Sequence, residues 1–369
     1  MLRLVHVTLY RELPSGVRKQ IMWEYKAAAK LTGGVQWEQL ALHGGAPQEA
    51  FEKRIPRPFR AMFLRNLYAW LVLWRLRKDY DFLLVRHMPF DPFALIFAPL
   101  IRNRVTIHHA KEVLELRLIR GGIAGKLAAL LERFSGKVAV ASARAVLGVT
   151  PELAEYQVQT RAKGKPHFVY ANGIDLESVS LLDDARDRSR IEAAFICHTF
   201  SAWHGLDRLM DVVSRAASQA DELVIHLIGG LSEAQKNQIV AQSSCAAVFQ
   251  VHGLLESEAY RSLLARCDVA IGSLAMDRQN LSQGSTLKVR ELLASGLPLF
   301  SNHEDSALPQ DFTYYSQQPL SLEALLSFAR SMKQHSRQQV RDASAPYLDK
   351  ATQMQSVANW LMRLRGGES

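Results

Sequence analysis

Short apolar runs of strand length alternate with helix-like patterns along the whole chain. In the first half the predicted strands are residues 2–8, 36–42, 82–86, 105–109 and 146–150. In the second half they are residues 193–200, 223–228, 247–251, 269–273 and 297–301. Strands that are each followed by a helix are typical of parallel sheets covered by helices. The pattern therefore predicts an α/β protein with two parallel-sheet units.

A polar segment, residues 178–190, divides this alternation into two halves. It is rich in Ser, Asp and Arg and has no apolar period beyond Leu181 and Leu182, which is typical of a linker. The 369 residues are enough for about two domains. We therefore predict a first domain of residues 1–172, a second of residues 173–345, and a hinge within residues 173–190.

The cysteine pattern favours a reducing compartment. Cys197, Cys245 and Cys267 are far apart and form no CxxC pair. They therefore give neither a disulfide framework nor a zinc motif. The N-terminus alternates like a strand and contains no signal-peptide cleavage site, so we expect a cytoplasmic protein.

Positive charge is concentrated at the front of the chain. Residues 1–150 contain 24 Lys and Arg against 11 Asp and Glu, whereas the remainder contains 21 against 25. A basic half predicts an anionic partner, either nucleic acid or phospholipid headgroups. Nucleic acid is the less favoured of the two, because the aromatic residues cluster in one apolar helix instead of lying between exposed basic positions.

The segment of residues 57–78 favours lipid. Its Arg and Lys residues bracket an aromatic run, the composition of a helix that lies in a membrane interface. The aromatic residues are Phe59, Phe63, Tyr68, Trp70 and Trp74. The longest charge-free stretch, residues 66–74, is far shorter than the roughly 20 apolar residues of a crossing helix. The alternative is a core helix of the first domain with basic ends.

Residues 283–298, QGSTLKVRELLASGLP, combine a Gly-Ser-Thr turn, a helix start and an internal carboxylate. Ser285 and Thr286 can leave backbone N–H groups and hydroxyls free at the first turn, where the macrodipole favours an anion such as a diphosphate. Lys288 adds a positive charge beside them. Glu291 lies on a stretch suited to burial and needs a partner, such as a ribose diol. The pattern predicts a donor-nucleotide site, and the alternative is a buried helix with a Ser-Thr cap.

With this segment the chain resembles the family 4 glycosyltransferases of the GT-B fold, and the resemblance covers most of the chain. That family commonly has two glutamates, which would correspond to residues 283 and 291; here they are Gln283 and Glu291. The run from Ser285 to Lys288 is closer to the branch with Ser/Thr-x-Lys before the glutamate. The resemblance implies two Rossmann-like parallel-sheet domains facing a central cleft, with the C-terminal helix, residues 346–369, packing back on the first.

Two places in the first half match family contacts to donor and sugar. Ser15-Gly16 precedes a helix where the family has a Gly-Gly pair that closes over the donor diphosphate. His108 and His109 end a strand at the sheet edge where parallel sheets present their ligand-binding residues. Alternation lets only one of the two face the cleft; we favour His108, with Glu112 orienting the chain nearby. The alternative is that both are surface or core residues.

The Tyr170-Ala-Asn-Gly-Ile-Asp175 turn matches the family's signature at the domain junction and contains Asn172. We expect a mainly structural role, because Asn-Gly readily takes positive φ and Asp175 can cap the next turn. Upstream, Thr150 and Pro151 predict the N-cap and the first residue of a helix.

The family's diphosphate-neutralising Arg and Lys correspond to Thr199 and His204 in this chain. One charge is thus absent and the other titrates near neutral pH, so Lys288 and Arg278 would compensate. No metal and no cofactor is expected: Asp183-Asp184 lies in the polar linker, and no other Asp, His or Cys cluster has metal-ligand spacing.

The resemblance implies a retaining, metal-independent hexosyltransferase that moves a sugar from a nucleotide-diphosphate sugar to a lipid-linked or cell-surface glycan acceptor in polysaccharide or cell-envelope biosynthesis. Its basic first domain would bind the cytoplasmic face of an anionic membrane as a peripheral protein. The expected catalytic residues are His108, His109, Lys288 and Glu291. The expected donor-binding residues are Gly16, Asn172, Thr199, His204, Gln283, Gly284, Ser285, Thr286, Leu287, Lys288 and Glu291.

Two other functions stay open. A nucleotide-sugar epimerase uses the same two-domain fold but needs further acid and base carboxylates, of which the first half has few. The absence of the first Glu, the Arg and the second Gly of the family suggests the other, a non-catalytic protein that binds lipid headgroups or a partner enzyme through its basic face.

Overall fold

A computed structural model of the protein describes residues 1–187, 189–216 and 222–367, with the backbone alone at residues 243–245. The chain divides into two compact units: Met1–Asp175 with the chain from Asp349 onward, and Leu176–Leu348. The boundaries predicted from the sequence, after residues 172 and 345, lie a few residues earlier. Arg188 of the predicted linker lies outside the described residues, and so does the side chain of Cys245.

The first unit is built on a parallel sheet of seven strands in the order β3-β2-β1-β4-β5-β6-β7. The strands are β1 (Leu2–Leu9), β2 (Val35–His43), β3 (Glu52–Arg54), β4 (Phe82–Arg86), β5 (Arg104–His108), β6 (Ala145–Gly148) and β7 (His167–Val169). The sequence pattern predicted five of them within a few residues. It missed β3 and β7, the two edge strands, because three residues are too few to show a period.

Helices cover both faces of this sheet. They are α1 (Ser15–Ala28), α2 (Met62–Leu76), α3 (Ala94–Phe97), α4 (Glu112–Arg120), α5 (Gly122–Ser142), α6 (Pro151–Arg161) and the last helix (Lys350–Gly366). Alternation along β1 sends Leu2 and Leu4 into one core, which Met354 and Leu361 of the last helix complete. It sends Val5 and Val7 into a second core, shared with α2, α3 and α5.

The aromatic segment of residues 57–78 forms a short 3-10 turn (Arg57–Phe59) and α2. Trp70 is buried on α2, and its Nε1 donates a hydrogen bond to Asp91 Oδ2 at 2.6 Å. Phe59 and Tyr68 pack against the same core. The segment is therefore a core helix, the alternative that its sequence left open. Among the helices of the described residues, none is both long and apolar enough to cross a membrane.

A buried group of charges joins the last helix to the first unit. Lys350 Nζ lies 3.2 Å from Glu24 Oε1. Glu24 also lies 2.6 Å from His6 Nδ1 and accepts a hydrogen bond from Tyr170 Oη at 2.8 Å. Burial alone would raise the pKa of Glu24, but His6 and Lys350 outweigh it and hold that pKa well below its ordinary value. The charged carboxylate thus ties β1, α1 and the last helix together.

The second unit has a parallel sheet of six strands in the order β10-β9-β8-β11-β13-β15. The strands are β8 (Ile191–Thr199), β9 (Leu223–Gly230), β10 (Phe249–Gly253), β11 (Val269–Ile271), β13 (Leu299–Ser301) and β15 (Tyr315–Gln317). Two short strands, β12 (Gln283–Gly284) and β14 (Glu304–Asp305), form a separate parallel pair. The predicted α/β class with two parallel-sheet units is confirmed.

The helices of the second unit are α7 (Leu206–Arg215), α8 (Glu233–Ala241), α9 (Ser243–Val248), α10 (Ser257–Arg266), α11 (Leu287–Ala294), α12 (Leu322–Met332) and α13 (Arg337–Leu348), which makes the last helix α14. The strand predicted at residues 247–251 begins later, at Phe249, because its first residues belong to α9. The sequence pattern missed β15, another three-residue edge strand.

The segment of residues 178–190 is not a free linker. Leu182 is buried, and its N–H donates to the carbonyl of Ser295 at 2.9 Å. Ala185 N–H donates to the carbonyl of Ala265 at 3.2 Å. The linker prediction is corrected for the described part of this segment, which runs along the second unit because one apolar side chain and the backbone find partners there.

Replacing Lys350 by Met should lower the free energy of unfolding of the first unit by about 3–5 kcal/mol, because it leaves the buried Glu24 carboxylate with one cation fewer. Native-state hydrogen exchange of the β1 amides measures this loss. As a control, Lys26→Met removes a half-exposed lysine 3.5 Å from Asp175 and should cost less than about 1 kcal/mol. Equal losses in the two variants would contradict the role of Lys350.

Candidate functional site

The turn before α11 has the predicted helix start. Thr286 is the N-cap, and its Oγ1 accepts a hydrogen bond from Val289 N at 3.4 Å. Gly284 cannot be exchanged freely, because a Cβ there would lie 2.6 Å from the ring of His303. The short pairing of β12 with β14 therefore brings the Gly-Ser-Thr turn close to its neighbours and orients the first turn of α11.

The hydroxyls of Ser285 and Thr286 are not free, which corrects the sequence-based expectation. Ser285 is buried, and its Oγ accepts a hydrogen bond from Arg290 Nη2 at 3.2 Å. Arg290 in turn binds Asp305 at 2.6 Å, with both side chains buried. Thr286 uses its oxygen for the cap. At this turn the two residues can therefore bind a ligand through their backbone groups but not through their hydroxyls.

Arg290 and Asp305 are structural residues of the site that sequence reasoning missed. Arg290 lies near Val289, Leu292 and Leu293 in the sequence, and a charged residue among apolar ones was a signal for such a pair, since a buried guanidinium needs a carboxylate partner. The partner lies on β14, and periodicity does not show which carboxylate it is.

Lys288 lies at the first turn of α11, and its Nζ is 3.5 Å from Cys197 Sγ on β8. Burial raises the pKa of the Cys197 thiol, against the opposing charge of Lys288, so the thiol is protonated at neutral pH. The ammonium therefore has a neutral partner there, and its charge remains available at the helix N-terminus, where an anion is favoured.

Two predicted donor contacts, Thr199 and His204, lie at the end of β8 and in the turn after it. Thr199 is exposed at the end of that strand. His204 lies in a 3-10 turn (Ala202–His204), and its Nδ1 accepts a hydrogen bond from Ser201 N at 2.9 Å. Burial lowers the pKa of His204 to about 4, and the positive charge of Lys288 adds to this. The prediction that His204 titrates near neutral pH is wrong: its imidazole is neutral there.

Arg278 does not compensate for the missing charge. Its guanidinium forms a bidentate pair with Asp207 at 2.9 and 2.6 Å and also donates to the carbonyl of Ala202 at 2.7 Å. Asp207 thus neutralises the charge that was expected to help Lys288. Among the predicted donor residues, the full positive charge therefore lies on Lys288.

Gln283 and Glu291 lie on either side of the turn. The Nε2 of Gln283 donates to Glu304 Oε2 at 3.3 Å. Glu291 is half-buried on α11, four residues after Leu287, where that helix begins. Burial raises the pKa of Tyr260, and the nearby charge of Glu291 raises it further, so these two side chains share one environment.

The two strand-end histidines of the first unit have different surroundings. His108 is fully buried, and its Nδ1 lies 2.6 Å from Glu112 Oε1. Burial lowers the pKa of His108 to about 4, against the opposing effect of Glu112. His109 is partly exposed and lines a cavity of about 430 Å³ at the carboxyl edge of the sheet. His109, not His108, can contact a ligand there, which corrects our preference.

Behind His108 lies a buried network of charges that the sequence did not predict. Arg161 Nη2 lies 3.1 Å from Glu112 and 2.8 Å from Glu132. Glu132 also binds His87 Nε2 at 2.8 Å, and the rings of His87 and His108 stack 4.6 Å apart. Glu112, which we expected to orient the chain nearby, binds His108, and the pair belongs to the interior of the unit.

Ligand atoms of His87, His108 and Glu112 lie within 4.8 Å of one another, close enough to hold a metal ion. We do not assign a metal there, because Glu112 and the neighbouring Glu132 both contact the Arg161 guanidinium. A second cation beside this buried one would be repelled. The expectation that the protein uses no metal stays a prediction.

Gly16 and Asn172 lie apart from these networks in the first unit. Gly16 is exposed in the first turn of α1, and no atom of the chain lies within 4 Å of the place where its Cβ would be. Asn172 Oδ1 accepts a hydrogen bond from Gln20 at 2.8 Å. Neither Asn172 nor Gly173 has positive φ, which corrects that expectation. Gly173 is needed for space, because a Cβ there would lie 3.0 Å from Lys350 Cα.

Two further expectations concern polar residues near helix starts. Thr150 Oγ1 accepts a hydrogen bond from Leu153 N at 3.2 Å, with Pro151 following at the first helical position, so that N-cap prediction is confirmed. Asp175 is buried and lies 3.5 Å from Lys26 and 3.6 Å from Lys30.

No protein-family model matches the chain, and no curated protein matches it in sequence. Solved structures match it over nearly its whole length. The lipopolysaccharide outer core galactosyltransferase WaaB in its apo form aligns with a TM-score of 0.61 and 11% identity, over 98% of this chain and 100% of that one. Anabaena Alr3699/HepE in complex with UDP-glucose aligns with a TM-score of 0.61 and 12% identity, over 98% and 99%.

Sucrose-phosphate synthase from Thermosynechococcus elongatus aligns with a TM-score of 0.65 and 13% identity, over 100% of both chains. At such low identity these likenesses establish the fold. The chain has the GT-B fold, with two Rossmann-like domains.

Removing the charge at position 288 tests whether Lys288 and His204 share one environment. In Lys288→Met the pKa of His204 should rise above its value of about 4, because a repelling cation is gone, but stay below 6.5 because burial remains. Nitrogen-15 NMR titration of the histidine rings measures the shift. Lys236→Met, which removes an exposed lysine paired with Glu233 on α8, is the control and should leave it unchanged. An unaltered pKa in Lys288→Met would contradict the arrangement.

Proposed function

We propose that this protein is a glycosyltransferase that moves a sugar from a nucleotide-diphosphate sugar to a lipid-linked or cell-surface glycan. The observation that carries the proposal is the cation of Lys288 at the N-terminus of α11, with Glu291 farther along the same helix, in a GT-B fold. Alr3699/HepE, which shares this fold, binds UDP-glucose, and WaaB is a lipopolysaccharide galactosyltransferase. The first supports the proposed donor class and the second the acceptor class.

The donor diphosphate would lie at the first turn of α11. Lys288 and the helix dipole stabilise its negative charge. Because Nδ1 of neutral His204 accepts from Ser201 N, its proton lies on Nε2, which donates a hydrogen bond without adding charge. In the first unit Gly16 is exposed and its backbone is accessible, and we retain it as a proposed donor contact. Glu291 accepts hydrogen bonds from the ribose hydroxyls, and Asn172, Thr199 and Gln283 with the turn from Gly284 to Leu287 complete the proposed donor contacts. No metal is assigned a role in this arrangement.

The proposed transfer retains the configuration of the sugar. The bond from the anomeric carbon to the diphosphate oxygen breaks while the bond to the acceptor oxygen forms on the same face of an oxocarbenium-like sugar. The acceptor proton passes to the leaving diphosphate oxygen. No protein nucleophile is required. We assign stabilisation of the leaving group to Lys288 and the contact with the sugar to His109, which lines the cavity of the first unit, whereas His108 is buried.

A membrane-bound acceptor requires a surface that contacts lipid, and we assign this role to one face of α5. Four exposed apolar residues lie at i, i+4, i+7 and i+11, which places them on one face of the helix, opposite its buried face. We call this set the apolar stripe: Ile123, Leu127, Leu130 and Phe134, with exposed fractions from 51% to 76%. Three exposed basic residues flank it: Lys126, Arg133 and Lys137. An apolar face beside positive charges fits an anionic lipid surface.

Nucleotide binding tests the donor site. At about 100 times its dissociation constant, one of UDP, GDP, dTDP or ADP should stabilise the protein by roughly 2.7 kcal/mol in EDTA. Thermal unfolding measures the shift, which should disappear in Glu291→Ala and Lys288→Met and persist in the control Lys236→Met. Stabilisation only with added Mg²⁺ would overturn metal independence.

No shift with any nucleotide would favour the non-catalytic alternative. That alternative is suggested by the charge of the site, since Lys288 alone is fully positive among the predicted donor residues. Transfer activity near that of the unsubstituted protein in both Glu291→Ala and Lys288→Ala would overturn the site assignment.

Membrane binding tests the apolar stripe. Leu127→Ser with Phe134→Ser should weaken binding to vesicles containing phosphatidylglycerol about tenfold or more, because each buried apolar side chain contributes roughly 1.5–3 kcal/mol. Flotation of vesicles with bound protein measures it. Val240→Ser removes an apolar residue on α8 that is more exposed than Leu127 or Phe134 and should have no effect. Equal flotation of all variants, or equal binding to phosphatidylcholine vesicles, would contradict the assignment.

A further inference from the structure

The cavity beside His109 is strongly basic. Its walls come from the residues that follow β1, β4 and β5 and from α2 and α4. Four separate elements each contribute an arginine: Arg11, Arg65, Arg86 and Arg120. An adjoining pocket of about 340 Å³ shares Arg11 and Arg65 and adds Arg60. We call the larger one the arginine cavity.

The four guanidiniums lack close carboxylate partners within the part of the chain that the structure describes. Throughout the described ranges, none of the four forms an ion pair. Arg86 lies over the Tyr10 ring at 5.6 Å and Arg120 over the Phe90 ring at 4.7 Å. Burial lowers the pKa of Arg65, and the positive charges of Arg11 and Arg120 lower it further. Like charges thus converge at one place, where a bound anion would relieve their repulsion.

The acidic groups of the cavity do not cancel its positive charge. Glu112 is engaged by His108 and Arg161. Burial raises the pKa of Glu115, the charge of Glu112 raises it further, and Arg86 opposes both. Even when Glu115 is ionised, one carboxylate faces four guanidiniums, so the cavity remains positive.

The backbone is strained at the same place. Phe90 lines the cavity with φ at +60°, a left-handed conformation that is costly for a bulky residue. The buried network holds it there, because Phe90 N donates to Glu132 Oε2 at 2.9 Å. Strain that the surrounding structure maintains is typical of ligand sites. The hydrogen bond to Glu132 thus holds the backbone of Phe90, whose ring lies beneath the Arg120 guanidinium.

We propose that the arginine cavity binds a phosphoryl group of the acceptor, so that the acceptor is an anion. Guanidinium groups bind phosphate through paired N–H···O bonds, and the rings of Tyr10 and Phe90 offer faces for an attached sugar. A cavity of about 430 Å³ accommodates a small ligand of this size. The inference rests on the proposed function only where it identifies the ligand as the acceptor. Binding of the phosphoryl group is tested independently of that function.

The position of Arg120 favours a lipid-linked phosphate. It follows the exposed Leu118 and Ile119 at the end of α4, and one residue separates it from α5, on which the apolar stripe begins at Ile123. A phosphate bound by Arg120 would therefore lie next to the proposed lipid surface. A soluble sugar phosphate offers the same chemistry, and the experiment distinguishes the two sources.

Calorimetric titration of the full-length protein with inorganic pyrophosphate tests the site. The titration uses a Lys288→Met background, so that the proposed donor site does not contribute. Adding Arg65→Gln or Arg11→Gln should weaken pyrophosphate binding about tenfold or more, because each removes a charge-assisted hydrogen bond. Arg75→Gln removes an exposed arginine from the same helix as Arg65 and should have no effect. Undiminished binding in Arg65→Gln and Arg11→Gln, or an equal loss in Arg75→Gln, would overturn the proposal.

The source of the phosphate is decided in the same background. One arm uses glucose 6-phosphate in solution, and the other uses phosphatidylcholine vesicles that carry polyprenyl phosphate. Arg65-dependent binding in either arm supports the site and names its source; binding in neither arm overturns it. Nucleotide stabilisation should persist in Arg65→Gln with Lys288 intact. If the unsubstituted protein binds pyrophosphate through Arg65 but no nucleotide, the proposed function fails and the phosphate site stands.

Discussion

Arg161 lies buried between Glu112 and Glu132, and the candidate site of the first unit depends on that contact. The carboxylates bind His108 and His87, whose rings stack on each other. Removing one member would leave a buried charge without its partner, at a cost of several kcal/mol, so the ends of β4 and β5 have one stable arrangement. Because that interior is occupied, the residues beside it on the chain, His109 and Arg86, are left to line the cavity.

The second unit supports its site in a similar way. The buried pair of Arg290 and Asp305 holds the Ser285 hydroxyl and keeps the turn between β12 and α11 in place. Lys288 is then directed away from this pair towards β8, where it meets the neutral thiol of Cys197. In both units the polar groups nearest the core are bound in buried ion pairs. The chemistry that we propose therefore rests on residues outside these pairs, His109 and Arg86 in the first unit and Lys288 in the second.

Long apolar runs were predictable because a buried strand must be apolar wherever it lies in a parallel sheet. The start of α11 was predictable too, since Thr286 as an N-cap needs only its neighbours in sequence. The three-residue edge strands were not, because their sequences carry no period. The aromatic segment around Trp70 has the composition of an interfacial helix, and only its packing in the core decides otherwise.

From the sequence came the α/β class, the two parallel-sheet units, and the position of Lys288 and Glu291 on a helix that Thr286 caps. These follow from periodicity and capping, which act over a few neighbouring residues. Tertiary structure alone decided that His108 is buried and His109 lines a cavity, that His204 is neutral, and that Asp207 neutralises Arg278. It also assembled the arginine cavity from four distant segments. Burial and charge pairing depend on contacts between residues far apart in the chain, which local patterns do not encode.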